Sequence, residues 1–349
     1  MNIWIRLIFG IVIGIAFIYS LIFEGEAFVL LSGPAQGTTY QIKALTKNKA
    51  QLKDLIDSTL EEVDRSMSTW RPDSEISQFN QYNSIEPFSV STGFYKVLVK
   101  AIEISKLTSG LYDVTAKPLT DAYGFGPKGK SSTPDASSVG KLLQRVGYQK
   151  LNLLPENKIQ KLIPDLEIDL NSIAPGYTVD LLALRMEAVG IKSYLIDVGG
   201  ELRGSGFSPR GEPWIIGINQ PEEGAGPDQF HKILPLNNIS LATSGNYRSA
   251  WKDGVRQVVH SINPLSGEPE ITDVLSATVL HPDAMEADAW ATVAMILGSE
   301  KFLEIVNNQR MFSAYLITTG SSQDKFFEKC SQNFFELTGR ECNKVRDDG

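Results

Sequence analysis

Cysteine is almost absent from this chain of 349 residues: only Cys330 and Cys342 occur, bracketing "SQNFFELTGRE" near the C-terminus. Catalysis by cysteine is therefore not expected, and with no histidine beside the pair neither is a zinc-type site. In an exported protein the two either close a local disulfide that staples the tail or stay as two thiols. A basic excess is missing as well. Against 41 acidic residues stand 33 basic ones, a formal charge of −8, so the chain lacks the positive face that grips nucleic acid, and that class of partner is excluded. There is no internal repeat, and the glycines of "DVGGELRGSG" do not form the G-x-G-x-x-G order of a dinucleotide fingerprint. What is present, 42% hydrophobic and 21% charged residues, is the profile of a folded globular chain.

Charge is also scarce at the start. "MNIWIRLIFGIVIGIAFIYSLIF" carries Arg6 alone, and Glu24 and Glu26 follow it. The apolar run over 7–23 exceeds the core of an ordinary secretory signal and meets no small-x-small cleavage site, whereas a spanning helix needs about 20 apolar residues. Residues 1–25 are thus expected to be an uncleaved membrane anchor, with a cleaved signal as the alternative. Arg6 on the short side places the body of the protein outside the cytoplasm, on the periplasmic face of the inner membrane. No cysteine lies there to carry a lipid.

Past the anchor, "FVLLSGPAQGTTYQIK" reads as strand, tight turn and strand. Residues 48–66 and 92–110 have the spacing of amphipathic helices, the second stopping at Gly110. "STWRPDSEISQFN" reads as a polar loop, and 124–138, rich in Ser, Pro and Gly, as a surface excursion. Residues 166–190 give a short strand, a glycine-containing turn and a helix. Short β-rich runs follow at 193–206, 214–221, 239–245, 256–264 and 275–282, then helices from about 284 and over 299–308, and a last strand at 311–319. Without strict βαβ alternation the expectation is α+β: a single domain over 28–349, a mixed sheet with packed helices, its tail beginning near 321.

Several residues have the type and spacing that chemistry requires. In "HPDAMEADAWATVAMILG", Asp288 and Thr292 are four apart and share one helix face. A carboxylate and a hydroxyl so placed suit Mg²⁺, although acids also favour helix starts through capping and the helix dipole, the simpler reading for Asp283 and Glu286. The strand-to-helix turn "DLNSIAPGYTVD" frees main-chain groups around Gly176 for phosphate or metal. Thr243, Ser244, Arg248 and His260 form a further cluster, in which the lone His is either a structural residue or a catalyst. Trp70, in a polar loop, offers a plane for a flat ligand or lies over the core edge.

Taken in order, "GPAQGTTY", "STWRPDSEISQFN", "SGLYDVTAKPL", "DLNSIAPGYTVD", "LIDVGGELRGSG", "ATSGNYRSAW", "HSINPLSGEP" and "AMEADAWATVAMILG" resemble blocks of the FAD:protein FMN transferases, the ApbE-like flavin transferases, across roughly residues 32–319. The resemblance implies an ApbE-like (T-fold-like) domain that binds FAD with Mg²⁺ and moves the FMN half onto a Thr or Ser hydroxyl of a target protein, releasing AMP. It makes Asp288 and Thr292 Mg²⁺ ligands with the main-chain carbonyl of Ala174, and puts Gln36, Trp70, Leu111, Tyr112, Asp113, Asn171 and Ile262 at FAD-contacting positions. The acceptor hydroxyl needs a base, for which His260 or an acid near the metal is nominated. The implied partner is a flavoprotein subunit of a membrane or exported redox system. Two positions depart from the family pattern: Gln36 stands where Met is usual, and Pro175 where Lys or Glu is usual. The alternatives to transfer are a Mg²⁺-dependent FAD pyrophosphatase and a carrier that holds FAD without turnover.

Overall fold

The structure, a computed structural model, describes residues 25–127, 129, 133–221, 229–245, 251–253, 256–309, 312–319 and 326–342. Among these no helix is long and apolar enough to cross a membrane. The expected anchor, apart from Gly25, and Arg248 lie outside the described residues.

The chain opens with β1 (Ala27–Ala35) and β2 (Thr38–Thr46), followed by α1 (Lys49–Met67), α2 (Glu75–Gln81), β3 (Phe88–Ser89) and α3 (Thr92–Leu107). Next come α4 (Lys117–Ala122), α5 (Ala136–Leu143), β4 (Leu151–Leu154), β5 (Lys158–Lys161), α6 (Ala174–Ala188), β6 (Tyr194–Val198) and β7 (Glu201–Ser205). After β8 (Trp214–Asn219), β9 (Phe230–Leu236), β10 (Ile239–Gly245), β11 (Trp251–Asp253), β12 (Arg256–Val258) and β13 (Val274–His281), the described chain ends with α7 (Ala284–Leu297), α8 (Ser299–Gln309), β14 (Ser313–Thr319), β15 (Phe326–Cys330) and α9 (Phe334–Thr338).

Eight strands make one sheet in the order β1-β2-β6-β7-β10-β13-β14-β15. Every neighbouring pair is antiparallel, so within an α+β fold the sheet is antiparallel rather than mixed. Two-residue turns account for part of this. Gln36 and Gly37 close β1 onto β2, and Gly199 and Gly200 close β6 onto β7, all four at positive φ as primed hairpin turns require. The run "LEIDL" forms no strand; Leu166, Ile168 and Leu170, with Ile173 beyond it, are buried in the core ahead of α6.

One face of the sheet is covered by helices. On the β1-β2-β6 side, Ile42, Tyr194 and Ile196 pack with Leu52 and Ile56 of α1 and Val179 and Leu182 of α6. On the β10-β13-β14 side, α7 is buried around nearly its whole circumference, as an all-apolar helix must be. Trp290 stacks on Phe312 at 5.1 Å, and burying a side chain of that class contributes on the order of 2–3 kcal/mol. The opposite face of the sheet is closed by the β8–β9 hairpin and α9, through Trp214, Leu234 and Phe334. Cys330 and Cys342 are joined in a disulfide, Cα atoms 6.0 Å apart, which ties the segment after α9 back to edge strand β15.

Candidate active site

The sheet is stepped. β7 pairs with β10 only over Ile239, Ser240 and Leu241 and then turns back at Gly199–Gly200, while β10 runs on to Gly245 against β13. Beyond the two hairpin tips, flanked by the start of α6 and the middle of α7, lies a cavity of about 550 Å³, within the size range of small-molecule sites. Gln36, Leu111, Tyr112, Asp113, Asn171, His260, Ile262, Asp288 and Thr292, dispersed over more than 250 positions of chain, all line it. Ala174 is not among the lining residues, but its neighbour Pro175 is. Trp70 stands apart, 64% exposed in the turn before α2 and outside the lining.

Asp288 is buried, and its Oδ2 accepts a hydrogen bond from the Gly176 N–H at 3.0 Å. Only glycine permits this approach: a Cβ on residue 176 would lie 2.3 Å from the Ala284 carbonyl oxygen and 2.8 Å from Met285 Cα. The first turn of α6 therefore sits directly on the first turn of α7, and its free N–H is aimed at the carboxylate. Pro175, in the first turn of α6, suits a position whose N–H has no helical partner. Burial pushes the Asp288 carboxyl up to about 7 against the opposing Gly176 hydrogen bond. Among the described residues its Oδ1 accepts nothing, which leaves one carboxylate oxygen at the cavity with the Thr292 hydroxyl a turn away. Hard oxygen donors on a fixed helix face fit Mg²⁺. The Ala174 carbonyl accepts from Thr178 Oγ1 at 2.9 Å, and Thr178 Oγ1 accepts from Gln36 Nε2 at 2.8 Å. Gln36 thus ties the β1–β2 tip to the turn that the resemblance assigns to the metal.

Other lining residues have prior commitments. Asp113 accepts from the Thr115 N–H and hydroxyl through Oδ1, at 2.8 and 2.6 Å, and from the Tyr148 N–H through Oδ2 at 2.7 Å. Its oxygens shape the cavity wall instead of reaching into it, and burial raises its pKa. The Tyr112 hydroxyl accepts from Ser172 at 3.0 Å, joining the wall to the turn before α6. Asn171 is folded against Asp169, donating to it from its N–H at 2.8 Å. His260 has a buried Nδ1 with no hydrogen-bond partner among the described residues, packs edge-on to Phe125 at 6.2 Å, and has its pKa lowered by burial. A neutral imidazole with an uncommitted nitrogen is suited to accepting a proton.

The sequence reading missed Asp169, Glu201 and Lys117. Four carboxylates, Asp113, Asp169, Glu201 and Asp288, line the cavity, and among the described lining residues Lys117 is its only Lys or Arg. Lys117 is itself paired with Asp121. A cavity of this balance repels a pyrophosphate unless a cation enters with it. At the start of α7, the Asp283 side chain makes no cap. Asp180, from α6, caps the helix instead, accepting from the Ala284 and Met285 N–H groups at 2.9 Å each. Glu286 pairs with Lys100 at 3.0 Å. His281, Asp283 and Glu286 lie close together, but the Asp283 N–H occupies His281 Nδ1 and Lys100 neutralises Glu286, so the cluster is closed by its own contacts.

The chain is similar to known proteins over most of its length. The sequence pattern of the ApbE family matches residues 36–316. The chain is 38% identical over 312 residues to an FAD:protein FMN transferase of Vibrio cholerae, covering 88% of this chain and 91% of the relative. It is 33% identical over 320 residues to one of Haemophilus influenzae, covering 89% and 91%. Among solved structures, flavin transferase ApbE from Vibrio cholerae superposes with a TM-score of 0.81 at 36% identity, covering 89% of this chain and 99% of that one. The apo flavinyl transferase ApbE of Pseudomonas stutzeri gives 0.81 at 29% identity, covering 90% and 98%. With the pattern matched over most of its length and relatives above 30% identity along nearly all of theirs, this chain belongs to the ApbE family.

Proposed function

We infer that this protein is an FAD:protein FMN transferase: it moves the FMN moiety of FAD onto a Thr or Ser hydroxyl of an acceptor flavoprotein. The reaction forms a phosphoester between the acceptor oxygen and the FMN phosphorus, breaks the pyrophosphate P–O bond, and releases AMP. We propose further that it depends on Mg²⁺, that residues 1–25 anchor or target it, and that the domain acts on the periplasmic side of the inner membrane on a subunit of a membrane or exported redox system.

The observation that carries the metal assignment is the buried Asp288 carboxylate, held on one side by the Gly176 N–H in a cavity with four acids and one paired lysine. A bound Mg²⁺ would offset that negative charge and stabilise the charge that develops on the phosphates. Asp288 and Thr292 would hold it, with the Ala174 carbonyl completing the protein ligands if Thr178 turns its hydroxyl away. His260 would take the proton of the acceptor hydroxyl as that oxygen attacks phosphorus. Leu111, Tyr112 and Ile262 supply an apolar wall for the flavin, and Gln36 and Asn171 polar rims. Pro175 leaves that position of the turn uncharged, so a bound Mg²⁺ would supply more of the phosphate neutralisation than in a chain with lysine there.

Incubating the full chain with FAD and Mg²⁺, with and without a flavoprotein acceptor, and weighing the products by mass spectrometry tests this reading. A flavin–phosphate adduct on the acceptor supports transfer. FMN and AMP released equally without acceptor would identify a pyrophosphatase, and unchanged FAD held by the protein a carrier.

A further inference from the structure

The step in the sheet leaves a strand edge inside the cavity. β10 is an interior strand, yet only its first half has neighbours on both sides: Ile239, Ser240 and Leu241 pair with β7, while Thr243, Ser244 and Gly245 pair with Thr278, Ala277 and Ser276 of β13 alone. On the β7 side the strand ends at Glu201, level with Ala242, and the Gly199–Gly200 turn carries the chain away to β6; among the described residues nothing pairs with 243–245 there. Unlike the buried Leu241 and Ala242, these three residues are half-buried, and all three line the cavity together with His260 and Asp288. Their side chains are small. The Thr243 hydroxyl is turned across to Thr278 of β13 at 2.9 Å, away from the unpaired edge.

Unpaired strand edges are normally covered, because their free N–H and C=O groups pair with any extended chain. We propose that this edge receives the acceptor polypeptide: the segment carrying the target hydroxyl adds as a short extended strand along Thr243–Gly245. The inference rests on the transferase reading, and the occupant follows from it. The reaction requires a polypeptide hydroxyl to enter this cavity from outside, and the edge forms part of the cavity's own wall. Main-chain pairing also solves a delivery problem. In an added strand successive side chains point to opposite faces, so fixing the register sends one chosen hydroxyl toward His260 and turns its neighbours away. An edge of three residues offers few hydrogen bonds, which suits a substrate that must leave once modified.

The test uses the full chain in detergent with FAD, Mg²⁺ and a pool of short synthetic peptides, each with one central threonine and varied flanks, read by mass for the flavin adduct. Peptides that accept the flavin are remade with single backbone N-methyl groups at successive positions. Paired on one edge, a strand directs only alternate N–H groups to its partner, so N-methylation at alternate positions should lower transfer roughly tenfold while the positions between stay near the parent rate. Among residues 243–245, hydrogen exchange at the amides turned away from β13 should slow with peptide and FAD together but not with FAD alone. Uniform tolerance of N-methylation, loss without the alternating pattern, or FAD bound with no peptide modified overturns the proposal. So does protection of those outward amides in the protein alone, which would assign the edge to a second copy of the chain. Failure to bind FAD at all would instead overturn the transferase reading on which it rests.

Discussion

Replacing Asp288 with asparagine separates what the carboxylate contributes to chemistry from what it costs the fold. Asparagine has the same shape and keeps an oxygen for the Gly176 N–H, so packing and the 3.0 Å hydrogen bond survive. What disappears is a buried charge. Burial raises the Asp288 carboxyl from 3.8 to about 7, and at about 1.4 kcal/mol for each tenfold change in acidity constant, ionising it inside the metal-free protein costs about 4 kcal/mol. For an acid whose folded pKa is raised, the folded state holds the extra proton between the two values. Stability is therefore full below 3.8 and falls as pH rises toward 7. The amide of the Asp288→Asn variant has no such proton to lose. In chelator, the variant and the parent should unfold alike near pH 4, and by pH 8 Asp288→Asn should be the more stable by about 3–4 kcal/mol.

Mg²⁺ should narrow that gap to about 1 kcal/mol. A ligand at a hundred times its dissociation constant stabilises the folded state by about 2.7 kcal/mol, and only the parent should gain it. Below pH 7 the ion must displace a proton from Asp288, so the parent's Mg²⁺ affinity should weaken toward tenfold per pH unit. Urea unfolding followed by tryptophan fluorescence, with and without Mg²⁺ across pH 4–8, measures all of this. An Asp288→Asn protein less stable than the parent at pH 8 in chelator, or equally stabilised by Mg²⁺, would refute the reasoning.

Gly176→Ala puts a Cβ 2.3 Å from a main-chain carbonyl oxygen that has no freedom to move. A loss of roughly 1–3 kcal/mol in unfolding and a weakened Mg²⁺ affinity are expected; unchanged affinity would show that the two helix starts need not touch. Because burial lowers the His260 pKa below 6.5, the imidazole stays neutral to lower pH than usual. The acid limb of the transfer rate at saturating Mg²⁺ should therefore fall below pH 6.5, and His260→Gln should lose about a hundredfold or more together with that limb. An acid limb persisting in His260→Gln would move the base elsewhere. Cys330→Ser with Cys342→Ser opens a link across 12 positions and should lower the unfolding free energy by about 2–3 kcal/mol while leaving transfer unchanged; slowed transfer would mean that the tail reaches the cavity.

What the sequence makes legible here is local. Asp288 and Thr292 are four apart on a helix whose apolar composition announces its burial, and the turn before α6 declares itself through Pro175 and Gly176. The segment before Gln81 hides its helix because α2 buries only Ile76, Ser77 and Phe79, too few positions to show a period. Trp70 has the composition of a stacking platform but stands in solvent, since a polar loop says nothing about where the loop lies. Commitments between distant residues are the least legible. Asp180 caps a helix that begins 104 positions later, and Asp113 gives an oxygen to an amide 35 positions away, partners that no local pattern discloses.

The open edge of β10 belongs to the same class, with one difference. "DVGGELRGSG" reads as a β-rich run through a Gly-Gly pair, and in the structure those two glycines, both at positive φ, close β6 onto β7 as a hairpin of fixed length. The sequence "ISLATSG" states just as clearly a seven-residue strand ending in small residues. Neither says that the two lie side by side in a register that strands the last three residues. Once the antiparallel pairing of Leu241 with Leu202 is known, the mismatch follows from counting, and so does the place of the cavity: it fills the space left where the shorter hairpin stops and the longer strand continues. The cavity is therefore tied to the lengths of these elements more than to any one side chain lining it. A residue inserted between Gly200 and Glu201 would lengthen the turn toward the edge and should impede the acceptor before it disturbs FAD.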